Sequence, residues 1–151
     1  IRDLRAYILD MRPRQLFDET LMQGLKRLVS EFRAHTLIEV KLKGPVDDMK
    51  DLPSPQAITL FHICQEALAN IAKHARAHRV EVSLWPAGDR ALLEVVDDGR
   101  GFDLDVIKQT IGHGLSNMIT RARSVGGDVD ITSEPKSGTS ILAWVPYTKE
   151  P

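Results

Sequence analysis

Apolar positions along the chain recur at helical spacing in four stretches and at strand spacing in the others. Ile1, Leu4, Ile8 and Met11 form an a/d seam, with Arg2, Asp3, Arg5, Asp10 and Arg12 off it. Pro13 stops that helix. The seam reads either as the end of a coiled coil or as a terminal helix packed on its own domain. Leu21, Leu25, Leu28 and Phe32 give a second helix one apolar stripe. Its start is expected at Asp18 as N-cap, with Phe17 stapling against Met22. Val40 and Leu42, within residues 37–43, predict a short strand, and residues 44–53 a polar loop.

A third helix is expected to open at Ser54-Pro55, Ser as cap and Pro at the first helical position, and to run to about Ala75. At about 100° per residue, Ala57, Phe61, Cys64, Leu68, Ile71 and Ala75 share one face. His62, Glu66, Asn70, Lys73 and His74 fall opposite. The period then changes to two: Val80, Val82 and Leu84 alternate with Glu81 and Ser83. Residues 86–89 turn the chain. Leu92 to Val96 returns as a strand apolar on both faces and therefore central. Leu115 to Val125 reads as a helix ended by Gly126-Gly127. Two last strands carry Val129 and Ile131, then Ile141, Ala143 and Val145, around the turn 135–138. This order predicts an α/β fold: a two-layer sandwich, one mixed sheet of about five strands with three helices on one face.

Composition narrows the function. The 151 residues carry 20 Lys+Arg against 21 Asp+Glu, a net charge of −1, with 42% hydrophobic and 27% charged residues. That is the balance of one globular domain, and it argues against nucleic-acid binding through bulk charge. The lone Cys64 excludes an internal disulfide and a multi-cysteine zinc site. Apolar runs reach only about five residues, as in Ile141 to Val145, against the ~20 of a membrane span. The chain begins with Ile1 rather than Met, and is expected to be part of a longer protein.

Three features suggest chemistry. Asp97 shares its parity with Leu93 and Val95, so it ends a core-facing strand row if that row meets the helices. A carboxylate there is costly unless something hydrogen-bonds to it, and a ligand amine would serve. Gly99 and Gly101 let the backbone approach such a ligand; a plain surface turn is the alternative. Gly112-His113-Gly114-Leu115 precedes a helix, and glycines there expose N–H groups suited to phosphates. It is neither a dinucleotide fingerprint nor a P-loop, since Asn117 occupies the third glycine position and no Gly-Lys-Ser/Thr follows. The row Glu66, Asn70, Lys73, His74 combines magnesium-type oxygen donors with groups that meet phosphate oxygens; a solvated helix face is its alternative. Together the three describe a magnesium–nucleotide site.

The same residues carry a resemblance. The run from Gln65 to Ala75 resembles the N-box of sensor histidine kinases, in the subfamily of nitrate/nitrite sensors and the membrane-fluidity thermosensor. Asp97-x-Gly99-x-Gly101 resembles the first glycine box, and Gly112-x-Gly114-Leu115 with Asn117-Met118 the second. Ser137-Gly138-Thr139 resembles the terminal Gly-Thr. The resemblance implies a GHKL-type ATP-binding catalytic domain over residues 14–151, preceded in residues 1–13 by the end of the dimerisation and phosphotransfer helix. It implies ATP and Mg2+ as cofactors. Asp97 would accept the adenine amino group, supported by Thr139. Asn70 would coordinate magnesium, and Glu66 would orient metal-bound water or polarise the site. Lys73 and His74 would lie near the phosphates, which Gly112, His113, Gly114 and Leu115 would cover. Residues 102–111 would form a short ATP lid.

The implied reaction moves the ATP γ-phosphate to a histidine on the dimerisation domain, then to a response-regulator receiver domain. The implied parent is a homodimer working in the cytoplasm, membrane-anchored or not, and this fragment would touch neither nucleic acid nor membrane. His35, His62, His74, His78 and His113 are followed by Thr, Ile, Ala, Arg and Gly. None matches an acceptor box, so the acceptor is expected upstream of Ile1. Asn117 stands where subfamily members often have Gly. The alternatives are an anti-sigma-type serine kinase, another GHKL ATPase with Glu66 activating water, and a degenerate module that binds no nucleotide. His74 and His78 lack an evident third metal ligand, Ser133-x-x-Lys136 matches a β-lactamase motif in letters only, and Cys64 reads as a packed core thiol.

Overall fold

The computed structural model describes residues 20–45, 49–101 and 113–147. The seam of residues 1–13, the Phe17 staple, the expected lid and Gly112 lie outside them. In chain order the elements are α1 (Leu21–Thr36), β1 (Glu39–Lys43), α2 (Ser54–Asn70) with a π-helical extension (Ile71–Ala75), β2 (Arg79–Ala87), β3 (Arg90–Asp97), α3 (His113–Ser124), β4 (Asp128–Ser133) and β5 (Thr139–Pro146). The sheet order is β1-β2-β3-β5-β4; β1 runs parallel to β2 and every other pair is antiparallel.

The two-layer sandwich follows from strand parity. Val82, Leu84, Ala91, Leu93, Ala143 and Val145 are buried on one face of β2, β3 and β5. There α2 lies on β3 and β5, flanked by α1 and α3. β3 is central as expected, but among the described residues no helix covers its other face. Val96 is exposed, and the Arg90 guanidinium, 3.8 Å above the Trp144 ring, shields that ring instead. α2 is buried beyond the single expected stripe, at Leu60, Ile63, Gln65, Ala67 and Ala69 as well, because neighbours surround it on several sides. Burial pushes the Cys64 thiol up to about 12, so it packs as an inert core group.

Several element ends differ from expectation. α1 is capped by Thr20, not Asp18: the Thr20 hydroxyl accepts the Gln23 N–H at 3.1 Å, and Gln23 Oε1 accepts the Thr20 N–H at 2.9 Å. This reciprocal capping box satisfies two N–H groups that a lone Asp18 cap would not. Ser54 is already helical, with Pro53 as N-cap and no side-chain cap bond. The β2–β3 loop is shorter than expected, because Pro86 and Ala87 pair with Ala91 and Arg90. The segment before α2 is not wholly polar: Met49 and Leu52 are buried in the core. α3 does end as expected. The Gly127 N–H donates to Ala122 O at 2.8 Å and the Gly126 N–H to Arg123 O at 3.1 Å, a Schellman close.

Candidate nucleotide-binding site

Asp97 is the last residue of β3 and continues its core-facing row, as strand parity requires. It is 5% exposed, and its carboxylate accepts the Gly99 N–H at 2.8 Å. Burial pushes its pKa up, opposed by that N–H; neighbouring Asp98 raises it further, and the Thr139 backbone N–H lowers it. A buried, partly satisfied carboxylate at a strand end is poised to accept a ligand's amine protons.

The loop after Asp97 is locked against the β4–β5 turn. Gly101 has φ +61°, and a β-carbon there would collide with the Glu134 carbonyl. Gly138 has φ +78°, and a β-carbon there would collide with the Asp97 carbonyl. Two left-handed glycines, one per segment, thus let the backbones touch. The Lys136 N–H also donates to Arg100 O. Thr139, buried and paired in register with Asp97, shares a 2.8 Å hydrogen bond between its hydroxyl and that of Ser133.

The polar row of α2 forms the second half. Glu66 and Asn70 are half-buried on the helix. Gly114, in the first turn of α3, lies over them: a β-carbon there would stand 3.0 Å from Glu66 Oε2 and 3.5 Å from the Asn70 amide nitrogen. The fold therefore joins the second glycine box to the magnesium-type donors. The backbone of His113 starts α3, while its side chain lies outside the described residues. Leu115 is expected at the ligand, but its side chain is core at 8% exposure, which leaves its backbone N–H in the first turn for a phosphate.

Past Asn70 the helix widens into the π turn. His74 is half-buried and Lys73 exposed. Burial favours neutral His74, and the cations Lys73 and Arg100 reinforce this. Arg100 Nε donates to the His74 carbonyl at 2.9 Å, and Asp98 Oδ1 accepts the N–H groups of His78 and Arg79 at 2.8 and 2.9 Å. Sequence reasoning missed Ser133, Asp98 and Arg100, because no spacing rule relates them to the segments they hold. Asn117 is exposed on α3, and nothing in the structure explains why it replaces a glycine.

Among the described residues no three His, Cys, Asp or Glu side chains cluster as a metal site. Two hard oxygen donors on one helix face, beside helix-start N–H groups, instead fit a magnesium ion held mostly by substrate phosphates. No described helix is long and apolar enough to cross a membrane.

The chain is similar to known proteins. Over 150 residues the chain is 36% identical to the sensor protein VraS of Staphylococcus aureus (strain COL), covering 98% of this chain and 42% of that protein. It is 35% identical to VraS of Staphylococcus haemolyticus, covering 98% and 41%. The chain thus spans about two fifths of the length of these relatives. A histidine kinase domain from Erythrobacter litoralis, of the blue-light activated kinase EL346, superposes with a TM-score of 0.68 at 23% identity, covering 85% of this chain and 61% of that one. That likeness shows the fold. Residues 56–149, most of the chain and all of the site, match one family model, and the chain belongs to that family, the histidine kinase-, DNA gyrase B- and HSP90-like ATPases.

Proposed function

We propose that this chain is the ATP-binding catalytic domain of a two-component sensor histidine kinase. The observation that carries the reading is the pairing of a buried Asp97 with a separate phosphate-type end, where Glu66 and Asn70 meet Gly114. Asp97 accepts the adenine amino group, with Gly99, Gly101 and Thr139 shaping the base pocket. The N–H groups of His113, Gly114 and Leu115 at the start of α3 receive the phosphates, together with the preceding residue of the glycine box, Gly112. Lys73 supplies a cation, and neutral His74 a hydrogen bond. Asn70 and Glu66 hold Mg2+, which supplies neutralisation of phosphate charge.

The chain positions the γ-phosphoryl for transfer: its bond to the ADP oxygen breaks as a bond to an imidazole nitrogen forms. The acceptor histidine belongs to the dimerisation domain, of which residues 1–13 are the end. The phosphoryl then passes to a receiver-domain aspartate. The parent is a homodimer and this domain works in the cytoplasm. VraS is named a sensor protein, which supports this reading over an anti-sigma serine kinase.

The test is calorimetric titration of Mg-ATP into the wild type and Asp97→Asn. Losing one hydrogen bond to a charged group should weaken binding roughly 10- to 100-fold. Incubated with γ-labelled ATP, the chain alone should stay unlabelled. A supplied dimerisation domain should gain acid-labile phosphate. Acid-stable phosphate on a serine would favour the alternative kinase, and no ATP binding by the folded wild type would overturn the reading.

A further inference from the structure

We propose that Arg100 is a positioning residue that fixes the phosphate-facing end of α2 to the adenine-binding loop. The proposal rests on the nucleotide reading above. The helix carrying Glu66 and Asn70 ends in a π turn, Ile71–Ala75, closed by Arg76 in a left-handed conformation at φ 50°. A π turn is rare, and such turns are frequent at functional sites. Its terminal carbonyls need partners from elsewhere. Arg100 supplies one, its Nε donating to the His74 carbonyl at 2.9 Å across 26 residues of sequence.

The arginine making this bond is firmly mounted. Its own carbonyl accepts the Lys136 N–H, and Gly101 beside it is wedged against Glu134. Asp98, two residues before it, holds the backbone N–H groups of His78 and Arg79. Asp98 and Arg100 therefore grip the segment 74–79 at both ends. Gly99, which lies between them, donates its N–H to the Asp97 carboxylate. One five-residue loop thus presents Asp97 to the base and sets where Lys73 and His74 stand. A phosphate-bearing ligand should feel the tether, and a ligand ending at the sugar should not.

The test compares wild type, Arg100→Ala and Arg100→Lys by calorimetry with Mg-ATP and with adenosine. Amide hydrogen exchange of residues 73–78 is read on the free proteins. Losing one net hydrogen bond should weaken ATP roughly threefold to tenfold in Arg100→Ala. Adenosine affinity should stay within about twofold, and exchange over 73–78 should quicken. Lysine still donates to a carbonyl, so Arg100→Lys should recover most of both effects. Equal losses for ATP and adenosine, unchanged exchange, or no recovery with lysine would each overturn the tether. Failure of the wild type to bind ATP would instead sink the nucleotide reading, while the exchange data still decide whether Arg100 holds the π turn.

Discussion

Gly114 lies so close over Glu66 that a methyl group on it would stand 3.0 Å from the Glu66 carboxylate. The contact joins two segments nearly fifty residues apart in sequence. It predicts that Gly114→Ala separates folding from function. Alanine is the better helix former by about 1 kcal/mol, and the obstructing atom is the end of a flexible side chain. Stability should hold or rise slightly in thermal melts. The Glu66 carboxylate should be displaced, Asn70 at 3.5 Å being in ordinary contact, and Mg-ATP affinity should fall roughly tenfold, the equivalent of about one net hydrogen bond. A Gly114→Ala variant that binds Mg-ATP like the wild type would show that this close approach is incidental.

Asp97 predicts the same trade from a different cause. Its pKa is raised in the fold, burial being the largest cause. The folded state therefore keeps the proton to higher pH than the unfolded chain. The ionised carboxylate opposes folding above that raised pKa, and the opposition vanishes below the unfolded value of about 3.9. Asparagine keeps an oxygen for the Gly99 N–H and carries no charge. Asp97→Asn should melt higher than wild type at pH 7, and the gap should close as pH falls toward 4. Denaturant unfolding over that range checks it; a gap that widens on acidification has the wrong sign.

These two residues also show what was legible. The parity Leu93, Val95, Asp97 placed a carboxylate on the core face before any fold was known, because strand alternation is local geometry. The row Glu66, Asn70, His74 was legible from helical spacing for the same reason. The meeting of Gly114 with Glu66 was not, since packing between helices has no period in sequence. Nor was the grip of Asp98 and Arg100 on residues 74–79. The cap at Thr20 was readable: Thr20-x-x-Gln23 is a capping box, but Asp18 offered a competing cap nearby. The buried Met49 was missed because a loop has no periodicity to reveal which of its residues turn inward.

The contact between the two glycine-bearing turns predicts a stability effect. At Gly101, φ +61° costs an alanine roughly 1–2 kcal/mol, and its β-carbon would strike the fixed Glu134 carbonyl. Gly101→Ala should therefore cost more than about 2 kcal/mol and loosen the Asp97 loop. Gly88 is the control: its φ is +62°, but nothing lies within 4 Å of a β-carbon there. Gly88→Ala should cost only the backbone strain. Equal losses in urea unfolding would mean that the Glu134 contact relaxes freely.

A last prediction turns on two residues with similar backbones and opposite surroundings. Leu37 closes α1 in the left-handed region at φ 61°, its N–H donating to Arg33 O at 2.9 Å, with its side chain 89% exposed. Nothing packs enough of that leucine to offset a strained backbone, and asparagine tolerates this region better. Leu37→Asn should therefore stabilise the domain by about 0.5–1 kcal/mol, raising the melting temperature by roughly 1–4 °C. Met49 has φ 53° but is 2% exposed. There the same relief is outweighed by the loss of a buried side chain and the burial of an amide, so Met49→Asn should cost about 2–5 kcal/mol. Melting curves of the two variants decide whether backbone strain or burial governs each site. A lower melting temperature for Leu37→Asn would mean that the left-handed close costs less than the leucine contributes.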